Sequence, residues 1–386
     1  MFGKFKILYI HNEKRDPKYG SHFINDLIIK KLREKKIRVD SVYPDHNIDL
    51  MGHPLHGIRN ILFFYSLITK KRNIKKYNLI QGTTYTPLAF LNGTVPVVSH
   101  FGSTVYGFLK SVPPSSGLKT EHMQLLEIMK ALRQENIFDA MYSTKKALKD
   151  ISDIEMYVAS KSNLVIATSE IVKQELLHHK IPEEKIVVIH NAIEDFWFEG
   201  EIIKKTKPIA HLVYLGRMGD DPFTVKLKGI TRLLYIFKKF KKIEKTVIGM
   251  CKKTEAYESL FLSIPQTHVH LSIAKEDILP ILRNHFGDIY VNPGRYEGFC
   301  LSLIEAMSQG LVPIIFPIGV APEIIRNGKN GFIVSNLQEM ILCINMISGD
   351  AKKRYKMAQA AITTASQFKS DIFVDNLKNA YKSILR

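Results

Sequence analysis

The run Asn292-Pro293-Gly294-Arg295-Tyr296-Glu297-Gly298-Phe299-Cys300 sits between an apolar strand pattern and a helical stretch from Leu301 to Gln309. A strand feeding a glycine-containing loop and then a helix presents unpaired backbone N–H groups and the positive end of a helix dipole, which together suit a phosphate. A helix that begins near Phe299 carries Glu305 in its second turn, aimed at the same cleft as Glu297. One carboxylate can then contact a sugar and the other a ribose. The competing reading is an ordinary strand-to-helix turn with a surface Glu.

A second cluster is Leu215-Gly216-Arg217, read as directly following a strand, with Lys226, Lys228 and Gly229 downstream. Cations aimed at a departing pyrophosphate stabilise the charge that develops there. Arg217 can grip phosphate oxygens bidentately, while a lysine acts as a compact point charge. For each of these residues alone, plain surface charge is an equal alternative. The third candidate is His100, at the end of the strand pattern Val95 to Ser99 and before Phe101-Gly102. An imidazole at a strand end can hydrogen-bond a sugar hydroxyl and orient the anomeric carbon, although a lone His is more often structural.

The elements that must position these groups read as α/β. Apolar, β-branched runs alternate with longer stretches at helical spacing, the pattern of βαβ units and parallel sheets. The runs predict strands at 5–10, 38–42, 79–81, 95–99, 164–167 and 186–189, then at 210–214, 246–249, 269–272, 289–292, 312–316 and 331–334. Residues 25–36 predict an amphipathic helix, with Leu27, Ile28 and Leu32 inward and lysines outward. The polar, Lys-rich stretch 199–208 marks a linker. Parallel sheets bind ligands at the carboxyl ends of their strands, where all three clusters fall.

A chain of 386 residues exceeds what one core usually supports, so two domains are expected. No segment holds about 20 uninterrupted apolar residues. The N-terminal run lacks the apolar region and cleavage site of a secretory signal, so the location is expected to be cytoplasmic. The three cysteines are far apart, which fits neither a disulfide framework nor a zinc site. The formal charge is +18, and residues 1–80 carry 17 Lys and Arg against 7 Asp and Glu. Such a surface attracts anionic partners. Nucleic acid is not expected as a partner and ranks lower, for want of any zinc-finger, basic-zipper or RNA-recognition motif. The segment 58–76 places Ile61, Leu62, Phe63, Phe64, Leu67 and Ile68 before Lys70, Lys71, Arg72, Lys75 and Lys76. Two readings stand: an apolar stripe for an anionic membrane surface, or a helix packed on a sheet with a charged tail.

Gly216-Arg217, Glu297-Gly298-Phe299 with Glu305-Ala306-Met307 and Gly310, and Pro322-Glu323-Ile324-Ile325 before Gly328 and Asn330-Gly331 resemble glycosyltransferase family 4. Weaker similarity runs through Gly20, His100, the segment Ala167-Thr168-Ser169-Glu170 and the segment Ile189 to Ile193, so it covers nearly the whole chain. The resemblance implies a GT-B architecture, two Rossmann-like doubly wound domains facing across a central cleft. Residues 1–200, joined by a C-terminal helix at about 370–386, would hold the acceptor, and residues 201–369 the nucleotide sugar. It further implies transfer with retention from a UDP- or GDP-sugar to a glycan or lipid-linked acceptor in cell-surface polysaccharide or glycoconjugate synthesis, with no divalent metal and no other cofactor. His100, Arg217, Lys228 and Glu297 match its catalytic positions. Gly20, Gly216, Lys226, Gly298, Phe299, Cys300, Leu301 and Glu305 match its donor-binding ones.

Three departures stand out. Tyr19-Gly20-Ser21 replaces a two-glycine loop. Cys300 takes a position usually held by glycine, which requires φ below zero. The stretch from Arg217 to Lys228 is long and contains Asp220, Asp221 and Pro222, leaving Lys226 and Lys228 as rival clamp lysines. Lys228 is preferred because Gly229 follows it. Two other functions remain open at this point: a membrane-surface binding protein without catalysis, and a nucleotide-sugar epimerase of the same architecture.

Overall fold

The computed structural model describes residues 5–13, 20–48, 56–71, 73–118, 120–133 and 139–385. Among them each predicted apolar run is a strand. β1 (Lys6–Ile10), β2 (Arg38–Val42), β3 (Leu79–Thr83), β4 (Val97–Phe101), β5 (Leu164–Ala167) and β6 (Ile186–Val188) form one sheet in the order β2-β1-β3-β4-β5-β6. β7 (Leu212–Arg217), β8 (Lys245–Met250), β9 (Thr267–Leu271), β10 (Ile289–Asn292), β11 (Val312–Ile315) and β12 (Phe332–Ile333) form the second, ordered β12-β11-β10-β7-β8-β9. Every pairing is parallel. Crossovers between parallel strands need helices on both faces. This is why β5, β10 and β11 are buried at every residue and read as continuous apolar runs.

Boundaries moved where local chemistry required it. β4 begins two residues later than its apolar run because Pro96 has no N–H to give; its carbonyl only accepts, from Ile80 N at 2.9 Å. β7 runs on to Arg217, so Gly216 and Arg217 close that strand rather than follow it. The predicted helix 25–36 spans Gly20–Glu34, so Gly20 opens a helix instead of lying in a loop. Tyr19, beside it, lies outside the described residues, as does Arg72.

The chain divides into two units. The first comprises Met1–Leu109, Tyr142–Glu194 and Phe368–Arg386; the second comprises Lys110–Met141 and Asp195–Gln367. This corrects the sequence boundaries in two places. Residues 110–141 were expected in the first domain, but Glu121 and Glu127 pair there with Arg295 and Lys238 of the second unit. Residues 195–200 likewise belong to the second unit: Trp197 is buried, and its carbonyl accepts from Gln309 Nε2 at 2.7 Å. The final helix, Ser370–Ser383, packs in the first unit, where the Tyr381 hydroxyl donates to Gln81 Oε1.

The second unit is tied at the base of its sheet by Arg354, which is wholly buried. Its guanidinium donates to Gly287 O and Ile347 O, each at 2.9 Å, and to Ser348 O and Lys207 O. A guanidinium spends its five donors well on carbonyls left over at a helix end. Here two of the four, those of Ile347 and Ser348, are the last carbonyls of helix Leu337–Ser348.

Candidate active site

Two hydrogen bonds from Arg295 to backbone carbonyls bring the sequence clusters of the second unit together. Arg295 N donates to Leu227 O at 2.9 Å, and Arg295 Nη1 donates to Lys226 O at 2.6 Å. The loop after β10 is thereby zipped to the turn between helices Pro222–Leu227 and Ile230–Lys239. Gly229 makes the approach possible: it has φ +67°, and a Cβ there would lie 2.1 Å from Pro293 O. The result is a direct contact, Lys228 Nζ to Glu297 Oε1 at 2.5 Å, with both side chains partly exposed.

Lys226 is not at this site. Its side chain is fully buried and its ammonium donates to Pro113 O at 3.0 Å and Ser115 Oγ at 3.3 Å. The reason lies in the residues that lengthen this stretch. Asp221 caps helix Pro222–Leu227 by accepting from Thr224 N at 2.9 Å, with Pro222 at the first position. Once the helix forms, residues two apart point to nearly opposite sides. Lys226 turns inward and Lys228, at the C-cap, turns toward Glu297.

The helix after the loop spans Leu301–Ser308, starting two residues later than Phe299. Cys300 is its N-cap, with φ +78° and ψ +69°. The expectation of negative φ is therefore wrong. A non-glycine residue in the left-handed region costs roughly 1–2 kcal/mol, and a buried polar network holds it there. Asn292 Nδ2 donates to Cys300 Sγ at 3.4 Å and to Tyr290 Oη at 2.9 Å; Tyr290 Oη lies 2.8 Å from Ser302 Oγ; and Asn292 Oδ1 accepts from Gly294 N at 3.0 Å. Burial, and then the Glu297 carboxylate, push the Cys300 thiol up to about 12. The residues just before Pro322 close on the same place. Val320 N donates to Phe299 O at 2.9 Å, and Gly319, at φ +54°, avoids a Cβ 2.3 Å from that oxygen.

Glu305 lies in the second turn of this helix, buried, with Oε1 3.0 Å from Lys275 Nζ. Nothing in the sequence marks Lys275, which precedes its partner by thirty positions. At the end of β7 the Tyr214 hydroxyl donates to Arg217 O at 3.0 Å. Its own pKa is raised by burial and then by Glu297 and Cys300, which places the strand end beside the loop. Arg217 itself is exposed; Gly298 and Phe299 are buried and Leu301 half-buried.

A second residue that the sequence did not single out is Glu121. Its carboxylate accepts from Arg295 Nη2 at 2.6 and 2.7 Å, from Arg232 Nε at 3.0 Å and from Thr231 Oγ1 at 2.5 Å. Burial opposes its ionisation, but the two guanidiniums more than offset that and hold the carboxyl below its usual range. Arg232 also stacks on Phe316, 4.5 Å from the ring centre. These arginines, with Lys110, Gly294 and Ile318, line a cavity of about 410 Å³ that shares its wall with the loop carrying Glu297.

In the first unit His100 is the fourth residue of β4, 1% exposed, with its ring 6.4 Å from that of Phe373. Burial lowers its pKa to about 4, against a smaller opposing effect of Asn191, so the ring is neutral at pH 7. Among the described residues the one group able to hold a metal is His211, His285 and Asp288. It lies at the amino ends of β7 and β10, the opposite sheet edge from Glu297. Lys207 Nζ already sits 2.8 Å from Asp288 Oδ2 and 3.2 Å from His211 Nδ1.

Two Rossmann-like units, each built on a six-stranded parallel sheet, define the GT-B fold. The HepE structure from Anabaena, in complex with UDP and glucose, superposes with a TM-score of 0.66 at 16% identity, over 98% of this chain and 100% of that one. Sucrose-phosphate synthase from Thermosynechococcus elongatus gives 0.71 at 15% identity, over 98% and 99%. Residues 203–364 match the family model described as Glycosyl transferases group 1. One curated relative is the N,N'-diacetylbacillosaminyl-diphospho-undecaprenol alpha-1,3-N-acetylgalactosaminyltransferase of Campylobacter jejuni, 28% identical over 120 residues. That match spans 31% of either protein.

Proposed function

We propose that the chain is a retaining glycosyltransferase that takes a hexose or hexose derivative from a UDP-sugar and places it on a lipid-linked or glycan acceptor during cell-surface glycoconjugate assembly. The observation that carries this reading is the Lys228–Glu297 contact beside the start of helix Leu301–Ser308. It joins a phosphate-directed cation, a sugar-directed carboxylate and a helix N-terminus within one loop system. UDP is preferred over GDP because the HepE structure holds UDP, and a lipid-linked acceptor because the Campylobacter relative is named for one.

In the proposed reaction the bond between the anomeric carbon and the diphosphate oxygen breaks as the acceptor hydroxyl oxygen bonds to the same face of that carbon. The hydroxyl proton passes to the leaving phosphate oxygen, and UDP departs. Lys228 and Arg217 stabilise the charge that develops on the diphosphate, Glu297 holds the sugar hydroxyls, and Glu305 with its Lys275 partner orients the ribose. The chemistry asks no metal of these residues, because cations and backbone amides meet the diphosphate charge.

A panel of UDP- and GDP-sugars tests the reading by thermal shift, since a ligand that binds only the folded state raises its melting temperature. A shift with at least one UDP-sugar, lost in Glu297→Gln, is expected. No shift with any nucleotide sugar overturns the assignment.

A further inference from the structure

Helix His56–Ile68 of the first unit is apolar on two faces. Phe63 and Leu67 point inward and pack with Leu8, Ile10, Ile80 and Phe90. The packed-helix reading of this segment therefore holds for that side. Ile58, Ile61, Leu62, Tyr65 and Ile68 follow the spacing i, i+3, i+4, i+7, i+10 and form a second stripe about 120° wide. This stripe is exposed: Ile61 retains 68% of its surface and Tyr65 61%. A helix of a water-soluble unit normally turns charged or polar groups outward, and contiguous apolar surface of this kind marks an interaction site.

The residues just after the helix indicate the charge of the partner. Lys70, Lys71, Lys75 and Lys76 come within eight positions of Ile68. Lys70 is paired with Asp45, at 2.5 Å, whereas Lys75 and Lys76 are exposed. Lys76 also lies 5.2 Å from the Tyr77 ring centre. With residues 1–80 already strongly basic, the surface complements an anionic one. An apolar stripe beside clustered lysines is the combination that enters the headgroup region of an anionic bilayer: the stripe buries among acyl chains and the ammonium groups meet phosphates.

We propose that the outer face of helix His56–Ile68, with the lysines after it, docks the first unit on an anionic lipid bilayer. The inference stands apart from the transfer reaction and does not depend on it. Co-sedimentation with vesicles of neutral phosphatidylcholine, and of phosphatidylcholine with about a third phosphatidylglycerol, tests it with the full chain. Binding to the anionic vesicles, weakened by high salt, is expected. Lys71→Glu with Lys75→Glu should weaken it at least about 25-fold, at roughly fivefold per lysine. Ile61→Asp with Tyr65→Asp should abolish it while leaving the thermal melt unchanged, because both side chains face solvent. Equal binding to both vesicle types, or binding untouched by the Ile61 and Tyr65 changes, overturns the proposal. So does a concentration-dependent dimer that the same changes dissolve, since the stripe would then belong to a second copy.

Discussion

The ammonium of Lys228 lies 2.5 Å from the carboxylate of Glu297, across 69 positions of sequence. If the pair contacts the two ends of the donor, Lys228→Ala and Glu297→Gln should each lower turnover by about 10²- to 10³-fold, the range for losing one electrostatic stabiliser. The double variant should lose much less than the product, because the two residues act as a unit. Lys226→Met supplies the contrast: it leaves turnover nearly unchanged, since that amine bonds only within the fold. Steady-state kinetics on the four proteins checks this.

Cys300 should be chemically silent in the folded protein. With its thiol pushed up to about 12 and its side chain buried, iodoacetamide at pH 8 should leave it unmodified until denaturant is added, as peptide mapping would show. Because φ is +78°, Cys300→Gly should remain within about 1 kcal/mol of the parent, relief of backbone strain offsetting the lost contacts. Cys300→Val, a β-branched residue held at the same φ, should cost more than about 2 kcal/mol.

Glu121 joins residues 110–141 to the second sheet, so removing it should be felt as stability rather than chemistry. Glu121→Ala leaves Arg295 and Arg232 without their shared anion, and breaking a buried ion pair in this way costs about 3–5 kcal/mol. Replacing Glu121 and Arg295 together by Leu and Met should recover a large part of that loss. Urea unfolding of the single and double variants measures both.

The buried imidazole of His100 gives the protein an acid limit. Its folded pKa of about 4 lies below the ordinary value of about 6.5. Between the two, the unfolded chain binds a proton that the folded chain refuses. Stability is therefore complete above pH 6.5 and falls as the pH approaches 4, by roughly 3 kcal/mol for this one group. His11, lowered to about 4 by burial and then by His22, acts in the same direction. Thermal melts at pH 7.5 and 5.0 should show the drop, and His100→Phe should reduce it.

All twelve strands, their parallel pairing and the two-sheet division were readable in the chain, because each rests on local signals. A strand buried on both faces must be apolar throughout, as Ile289–Asn292 and Val312–Ile315 are. Gly229 also showed, as the residue after Lys228, though its positive φ and what it made room for did not. Edges were less legible where one residue overrode the pattern, as Pro96 did at β4.

What the sequence by itself determined, then, was the set of elements and the segments that carry Glu297, Arg217 and Lys228. Tertiary structure alone decided that Lys226 turns inward, that Cys300 adopts a left-handed conformation, that Glu121 binds Arg295 across 174 positions and that Lys275 meets Glu305. The physical reason is range. Strand and helix periodicity arises from neighbours a few residues apart, whereas a side chain's partner depends on which backbones approach, and here one such approach is set by the missing Cβ of Gly229 against Pro293. The outward stripe of helix His56–Ile68 belongs to the same class, because an apolar residue reads alike in sequence whether it faces a core or solvent.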